Sequence, residues 1–181
     1  MFCNYTRIYI PRIFQIFVER LEIIHNIIKN NPAIRFNDIM RLSKLKNGTL
    51  THYISKLEES KKISAERTPR ITRFYDIGVP EQEAYLCKYL SRPTMKDIIT
   101  TLLLNGVLTF PQIREYVGKS PATISVCLSD LFNANIISKE YDIPSNRYSL
   151  KQPDLVSHVL RAYFPGYLDK TVLNTVELLD F

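Results

Sequence analysis

Residues 36–75 and 110–149 are two versions of one forty-residue string, superimposed by a constant shift of 74 with no gap. Phe36, Ile39, Thr49, Ser55, Leu57, Ile63, Ser64, Glu66 and Arg73 recur as Phe110, Ile113, Thr123, Ser129, Leu131, Ile137, Ser138, Glu140 and Arg147. Leu50, Ile54 and Phe74 meet the apolar Ile124, Leu128 and Tyr148. Chance supplies a few identities, but not readily a matching apolar register, because periodicity sets which face of an element is buried. A chain of 181 residues has room for one ordinary domain or two small ones. The repeat points to two small domains of one design.

Both copies read as the same series of elements. In the first, Ile16, Leu21, Ile24, Ile27 and Ile28 set a helical period that runs to about Asn30 and stops at Pro32. Ile34 to Phe36 is a short extended piece, and Asn37 is a good N-cap for a helix through Ser43. A turn at Lys46-Asn47-Gly48 leads to a helix from about Thr49 to Ser60, with Leu50, Tyr53, Ile54 and Leu57 on one face. Lys62 to Thr68 and Thr72 to Ile77 then read as a hairpin around Pro69-Arg70. The second copy has a helix from about Thr94 to Asn105, the extended Leu108 to Phe110, a helix started by Pro111 and a turn at Gly118. A helix capped by Ser120 and Pro121 follows, carrying Ile124, Cys127, Leu128 and Leu131. Strands from Ile136 to Asp142 and Arg147 to Leu150 flank Pro144-Ser145-Asn146.

Helix, short strand, helix, turn, helix, hairpin is the order of a winged helix-turn-helix. The expected fold class is mainly α with small β-hairpin wings (α+β): two tandem winged helix-turn-helix domains plus terminal helices. Domain boundaries fall at 1–80, at 81–152 with a connecting helix from Glu81 to Leu90, and at 153–181. In the last segment, helices from Asp154 to Tyr163 and from Tyr167 to Leu179 carry apolar stripes such as Leu168, Val172, Val176 and Leu179. Such stripes need cover. A two-fold homodimer through the N- or C-terminal helices is the favoured solution, and packing within the chain is the alternative.

In a helix-turn-helix the second helix enters the major groove and its solvent face reads bases. In copy one that face offers Thr51, His52, Ser55 and Lys56, whose short polar or cationic tips suit base edges and phosphates. Asn47 and Thr49 belong to the helix start, where backbone N–H groups bind phosphate. A solvated amphipathic face would look similar, but the helix-turn-helix frame favours DNA. Arg67, Arg70 and Arg73 put three guanidiniums within seven residues on the wing, suited to phosphate oxygens and a narrow minor groove.

Charge separates the copies. Residues 1–90 carry a net +6 and residues 91–181 carry zero, and Arg35 to Arg73 alone also sum to +6. A localised basic excess is the footprint of a nucleic-acid surface. In copy two, Lys119, Ser120, Thr123 and Arg147 suit a backbone grip. Asp130, however, stands where copy one has Lys56. That copy is either a second DNA contact or a structural or dimerising module.

Other chemistry is poorly represented. Neither GxGxxG nor GxxxxGK[ST] occurs among only five Gly, and HExxH and GxSxG are missing too. No catalytic residue, cofactor or metal site is expected. Cys3, Cys87 and Cys127 are scattered without a CxxC pair, which suggests reduced thiols in a cytoplasm. Arg7, Pro11, Arg12, Glu19 and Arg20 break the apolar N-terminus, so neither a membrane span nor a signal peptide is expected.

The run Asn37-Asp38-Ile39-Met40, then Leu45 through Tyr53, Leu57-Glu58, Glu66 through Arg70 and Arg73-Phe74-Tyr75 resembles archaeal tandem winged-helix transcriptional regulators. These are similar to the broad ArsR/MarR-type superfamily. Leu108-Thr109-Phe110 and Ser120 through Ser125 fit the same pattern. The resemblance implies a sequence-specific regulator of double-stranded DNA, a homodimer, with recognition helices at 47–59 and 120–132. Val126 and Cys127 depart from it, since family members often carry bulkier polar or aromatic residues there. The rival class is a tandem winged-helix protein-interaction scaffold, such as a transcription-machinery subunit, that does not bind DNA specifically.

Overall fold

Apolar residues shared by the two copies become the centres of two cores. In a computed structural model that describes residues 12–143, 145–165 and 167, with side chains from Phe17 onward, the chain divides into two compact units. One comprises Met1–Asn30 and Ile34–Ile77, the other Asn31–Ala33 and Gly78–Phe181. Ile39, Leu50 and Leu57 are fully buried in the first, and their equivalents Ile113, Ile124 and Leu131 are fully buried in the second.

The first unit runs α1 (Arg12–Lys29), β1 (Ile34–Arg35), α2 (Phe36–Ser43), α3 (Asn47–Glu59), β2 (Ile63–Arg67) and β3 (Thr72–Asp76). Its antiparallel sheet has the order β1-β3-β2, with Ile34 opposite Phe74 and Arg35 opposite Arg73. Ile24 and Ile28 of α1 pack with Ile39, Leu50, Ile54 and Phe74. His25 and Asp76 are hydrogen-bonded across 2.7 Å, tying α1 to the end of β3.

The second unit opens with α4 (Glu81–Leu90) and continues as α5 (Pro93–Asn105), β4 (Leu108–Thr109), α6 (Phe110–Val117) and α7 (Pro121–Asn133). Then come β5 (Ile137–Glu140), β6 (Arg147–Leu150) and α8 (Pro153–Tyr163). Its sheet order is β4-β6-β5, with Leu108 opposite Tyr148 and Thr109 opposite Arg147, the same register displaced by 74. The fold is thus mainly helical, with two winged helix-turn-helix units and small antiparallel wings.

The repeat extends to backbone detail. Lys61 and Asn135 both take left-handed conformations, with φ of 53° and 60°. Each closes a Schellman turn, because Lys62 N–H donates to Leu57 O and Ile136 N–H to Leu131 O, both at 3.0 Å. Lys44 and Gly118 likewise close α2 and α6 with φ of 55° and 63°. A left-handed lysine carries a steric cost that glycine avoids. Lys44→Gly removes a left-handed penalty of about 1–2 kcal/mol against an entropic cost of about 0.5–1 kcal/mol, so a net gain of about 0.5–1 kcal/mol is expected, read as a higher urea midpoint with an unchanged slope.

Several boundaries differ from the sequence reading. Helix α2 begins at Phe36 and not after Asn37, because the extended Arg35 occupies the N-cap position without a side-chain bond. Asn47 and Gly48 form the first turn of α3 and not the preceding turn, since Leu50 N–H already donates to Lys46 O at 2.9 Å. Thr109, and not Pro111, sets the start of α6 through a capping box with Gln112. Ser120 caps α7 as expected, its hydroxyl accepting from Thr123 N–H. Finally, α8 buries Val156, Val159 and Leu160 within the second unit, where it packs on α4 and α5. That stripe is covered inside the chain. The stripe from Leu168 to Leu179 lies outside the described residues.

Candidate nucleic-acid interface

Core packing of Leu50, Tyr53, Ile54 and Leu57 leaves the opposite face of α3 in solvent. Asn47, Thr49, Thr51, His52 and Lys56 are exposed there, and Ser55 is half-buried. Thr51 Oγ1 donates to Asn47 O at 3.0 Å, which ties the first turn together. The His52 ring lies 5.9 Å from Phe17 of α1 and 5.8 Å from Tyr53. Its imidazole thus lies beside two aromatic rings while remaining exposed. Lys56 Nζ donates to Glu59 Oε2 at 2.7 Å.

The wing is clipped at its tip. Thr68 N–H and its hydroxyl both donate to Ile71 O, at 3.0 and 2.8 Å. Within this four-residue loop Arg70 is exposed and has no ion pair among the described residues. Arg67 Nη2 donates to both carboxylate oxygens of Glu58, at 2.7 and 2.8 Å, linking the wing to the last turn of α3.

Arg73 is placed differently from the sequence reading. It lies on the central strand β3, between Arg35 of β1 and Glu66 of β2, and is 6% exposed. Flanked by a strand on each side, it is covered, and its Nε has no partner among the described residues. The wing surface therefore presents two of the three guanidiniums.

In the second unit Lys119, Ser120, Thr123 and Arg147 are all exposed. Arg147 Nε is 2.8 Å from Asp142. Asp130, at the position of Lys56, accepts from Arg92 Nη1 at 3.2 Å and is half-buried. Its charge is paired with Arg92, which softens the repulsion a carboxylate at this position would exert on phosphate. The other surface positions have changed character: Val126 stands for His52, Tyr141 for Arg67 and Pro144 for Arg70. Tyr141 and Ile143 at this wing are 84% and 94% exposed. Sequence reasoning missed the Arg67–Glu58 and Arg92–Asp130 pairs, because both join residues from different elements. Opposite charges were the only signal available.

The described cysteines are buried. Burial, with Glu83 nearby, pushes the Cys87 thiol up to about 12, and burial also raises Cys127. Both suit small buried hydrophobes better than reactive thiols. Iodoacetamide at pH 8 is expected to leave Cys87 unmodified in the folded chain and to label it fully in urea, as mass spectrometry would show. Among the described residues no cluster of three or more His, Cys, Asp or Glu is arranged to hold a metal. No helix among them is long and apolar enough to cross a membrane.

The segment 92–139 matches the family described as bacterial regulatory protein, arsR family. Residues 92–139 are thus similar to an ArsR-type helix-turn-helix. The match runs from Arg92 through α5, α6 and α7 into β5. Among solved structures, the chain is similar to the transcriptional repressor BigR from Xylella fastidiosa. The two are 24% identical, with a TM-score of 0.42, over 46% of this chain and 84% of that one. A search of the curated proteins finds no match.

Proposed function

We propose that the chain is a non-enzymatic transcriptional regulator that binds double-stranded DNA through its first winged helix. In this reading residues 1–80 are the reading domain, 81–152 the second winged helix and 153–181 a terminal segment. Helix α3 lies in the major groove, with Thr51, His52, Ser55 and Lys56 toward the bases and Asn47 and Thr49 on backbone. Arg67 and Arg70 hold phosphate or the minor groove. The observation that carries the proposal is the pairing of an exposed polar α3 face with a clipped wing whose Arg70 is exposed and has no ion pair among the described residues, inside the segment that holds the net +6. Lys56 and Arg67 are engaged by Glu59 and Glu58, but exposed pairs contribute only about 0–1 kcal/mol. Phosphate can displace those carboxylates at little cost.

The ArsR-type helix-turn-helix in the second unit supports the regulator class. Lys119, Ser120, Thr123 and Arg147 would supply a second, backbone-directed contact, with Asp130 neutralised by Arg92. A homodimer belongs to the same reading. Val18 and Ile23 on α1, 38% and 48% exposed, support the N-terminal helix as part of its interface. Such a regulator works in the cytoplasm. One observation favours the rival scaffold reading, namely the apolar second wing with Tyr141 and Ile143 in solvent.

Selection of binding sites from a random duplex library tests base reading. His52→Ala and Ser55→Ala are expected to shift the selected sequence while changing affinity for random duplex less than about threefold, because base contacts specify and phosphate contacts hold. An unchanged selected sequence in both variants would remove α3 as the reader.

A further inference from the structure

The second unit contains a cavity of about 450 Å³ that the DNA-binding reading does not use. That volume lies within the usual range for small-molecule pockets. Its apolar wall is built by Leu86 of α4, Ile136 after α7 and Val156 of α8, all buried. Its rim is polar, with Lys151, Gln152 and Glu81 exposed around it. Apolar side chains on one part of the lining, with charged and amide groups at the mouth, suit an amphipathic ligand held by its head.

The backbone around the cavity is braced. Tyr85 Oη donates to Ala134 O at 3.1 Å, and Lys151 N–H donates to Ile136 O at 3.0 Å. These bonds hold α4, the end of α7 and the strand leading into α8 in one frame, so the cavity does not collapse. Lys151 Nζ donates to Asn135 Oδ1, a neutral acceptor. The ammonium has no carboxylate partner among the described residues. It is a cation at the mouth of a half-open cleft with apolar and polar walls, with donors left for an anionic head group. Glu81 on the same rim opposes a second negative charge.

We infer that this cavity is a binding site for an amphipathic monocarboxylate, its apolar tail against Leu86, Ile136 and Val156 and its carboxylate on Lys151. The ligand would join α4, the end of α7 and α8. The inference goes beyond the proposed function and is tested without DNA, so either can fail alone.

The test is calorimetric titration of the full chain with octanoate, 1-octanol and octylammonium, which share one tail and differ in head charge. Octanoate is expected to bind with a Kd of about 1 mM, at least fivefold more tightly than either counterpart. Lys151→Met, which keeps the apolar stem, should weaken octanoate at least fivefold and leave octanol unchanged, while Lys151→Arg should retain binding. Glu81→Gln should tighten octanoate and not octanol. Leu155→Trp, which narrows the cavity from a half-buried position, should weaken all three. Equal binding of octanoate and octanol, no octanoate binding at 10-fold that concentration, or an unchanged octanoate Kd in Lys151→Met would overturn the inference.

Discussion

Replacing Arg67 and Arg70 together by Ala is expected to weaken binding to random-sequence duplex about 100-fold near 150 mM salt. Hydrogen bonds to charged groups are worth about 1.5–3 kcal/mol each, and two such contacts give a loss of this order. Because each phosphate contact contributes about −0.9 to the log–log salt slope, the variant's slope should flatten by roughly 2. Arg70, exposed at the clipped tip, should account for the larger share. Arg67 must first leave Glu58, which holds it at 2.7 and 2.8 Å. Glu58→Gln is the matching control: it frees Arg67 and removes a carboxylate from the interface, so affinity should rise. Arg73→Ala is predicted to act differently, lowering stability more than it changes the salt slope, because Arg73 is interior. Anisotropy titrations with the three variants, beside urea unfolding of Arg73→Ala, separate these outcomes.

The largest stability effect is expected in the core beneath α3. Leu57 is fully buried against α1, α2 and the sheet, and truncating it to Ala removes apolar surface and leaves a cavity. Large-to-small changes of this kind cost about 2–5 kcal/mol, and about 3 kcal/mol is expected here. For a small domain that lowers the melting midpoint by roughly 12 °C or more. Leu57→Met, which preserves volume, should cost less than about 1.5 kcal/mol. Far-UV circular dichroism during urea unfolding reads both. The equivalent Leu131→Ala should be similarly damaging in the second unit, since Leu131 is also fully buried. A cost below about 1 kcal/mol for both would mean that the shared apolar register is not what holds these units.

That register is also why the fold was legible. Ile39, Leu57 and Ile63 are identical in the two copies and buried in both, so the repeat itself marks the two cores. Helix starts were less legible. Asn37, Pro111 and the Asn47-Gly48 pair all have residue types that suit caps or turns, and in each case the backbone placed the boundary one or more residues earlier. The site was legible as a set of types and only in part as a surface. Arg67, Arg70 and Arg73 look alike along the chain. Only strand pairing distinguishes two exposed guanidiniums from a third set between Arg35 and Glu66. Along the chain Asp130 shows only a carboxylate in the place of Lys56, because Arg92, which pairs with it, lies 38 residues away.

The most direct test of the central claim is fluorescence anisotropy of the full chain with random-sequence duplex DNA across a salt series. A first winged helix that grips backbone through α3 and its wing predicts a log–log slope steeper than about −3, the mark of several displaced counterions. Weak binding that does not respond to salt would contradict the account and turn attention to protein partners of the two winged helices.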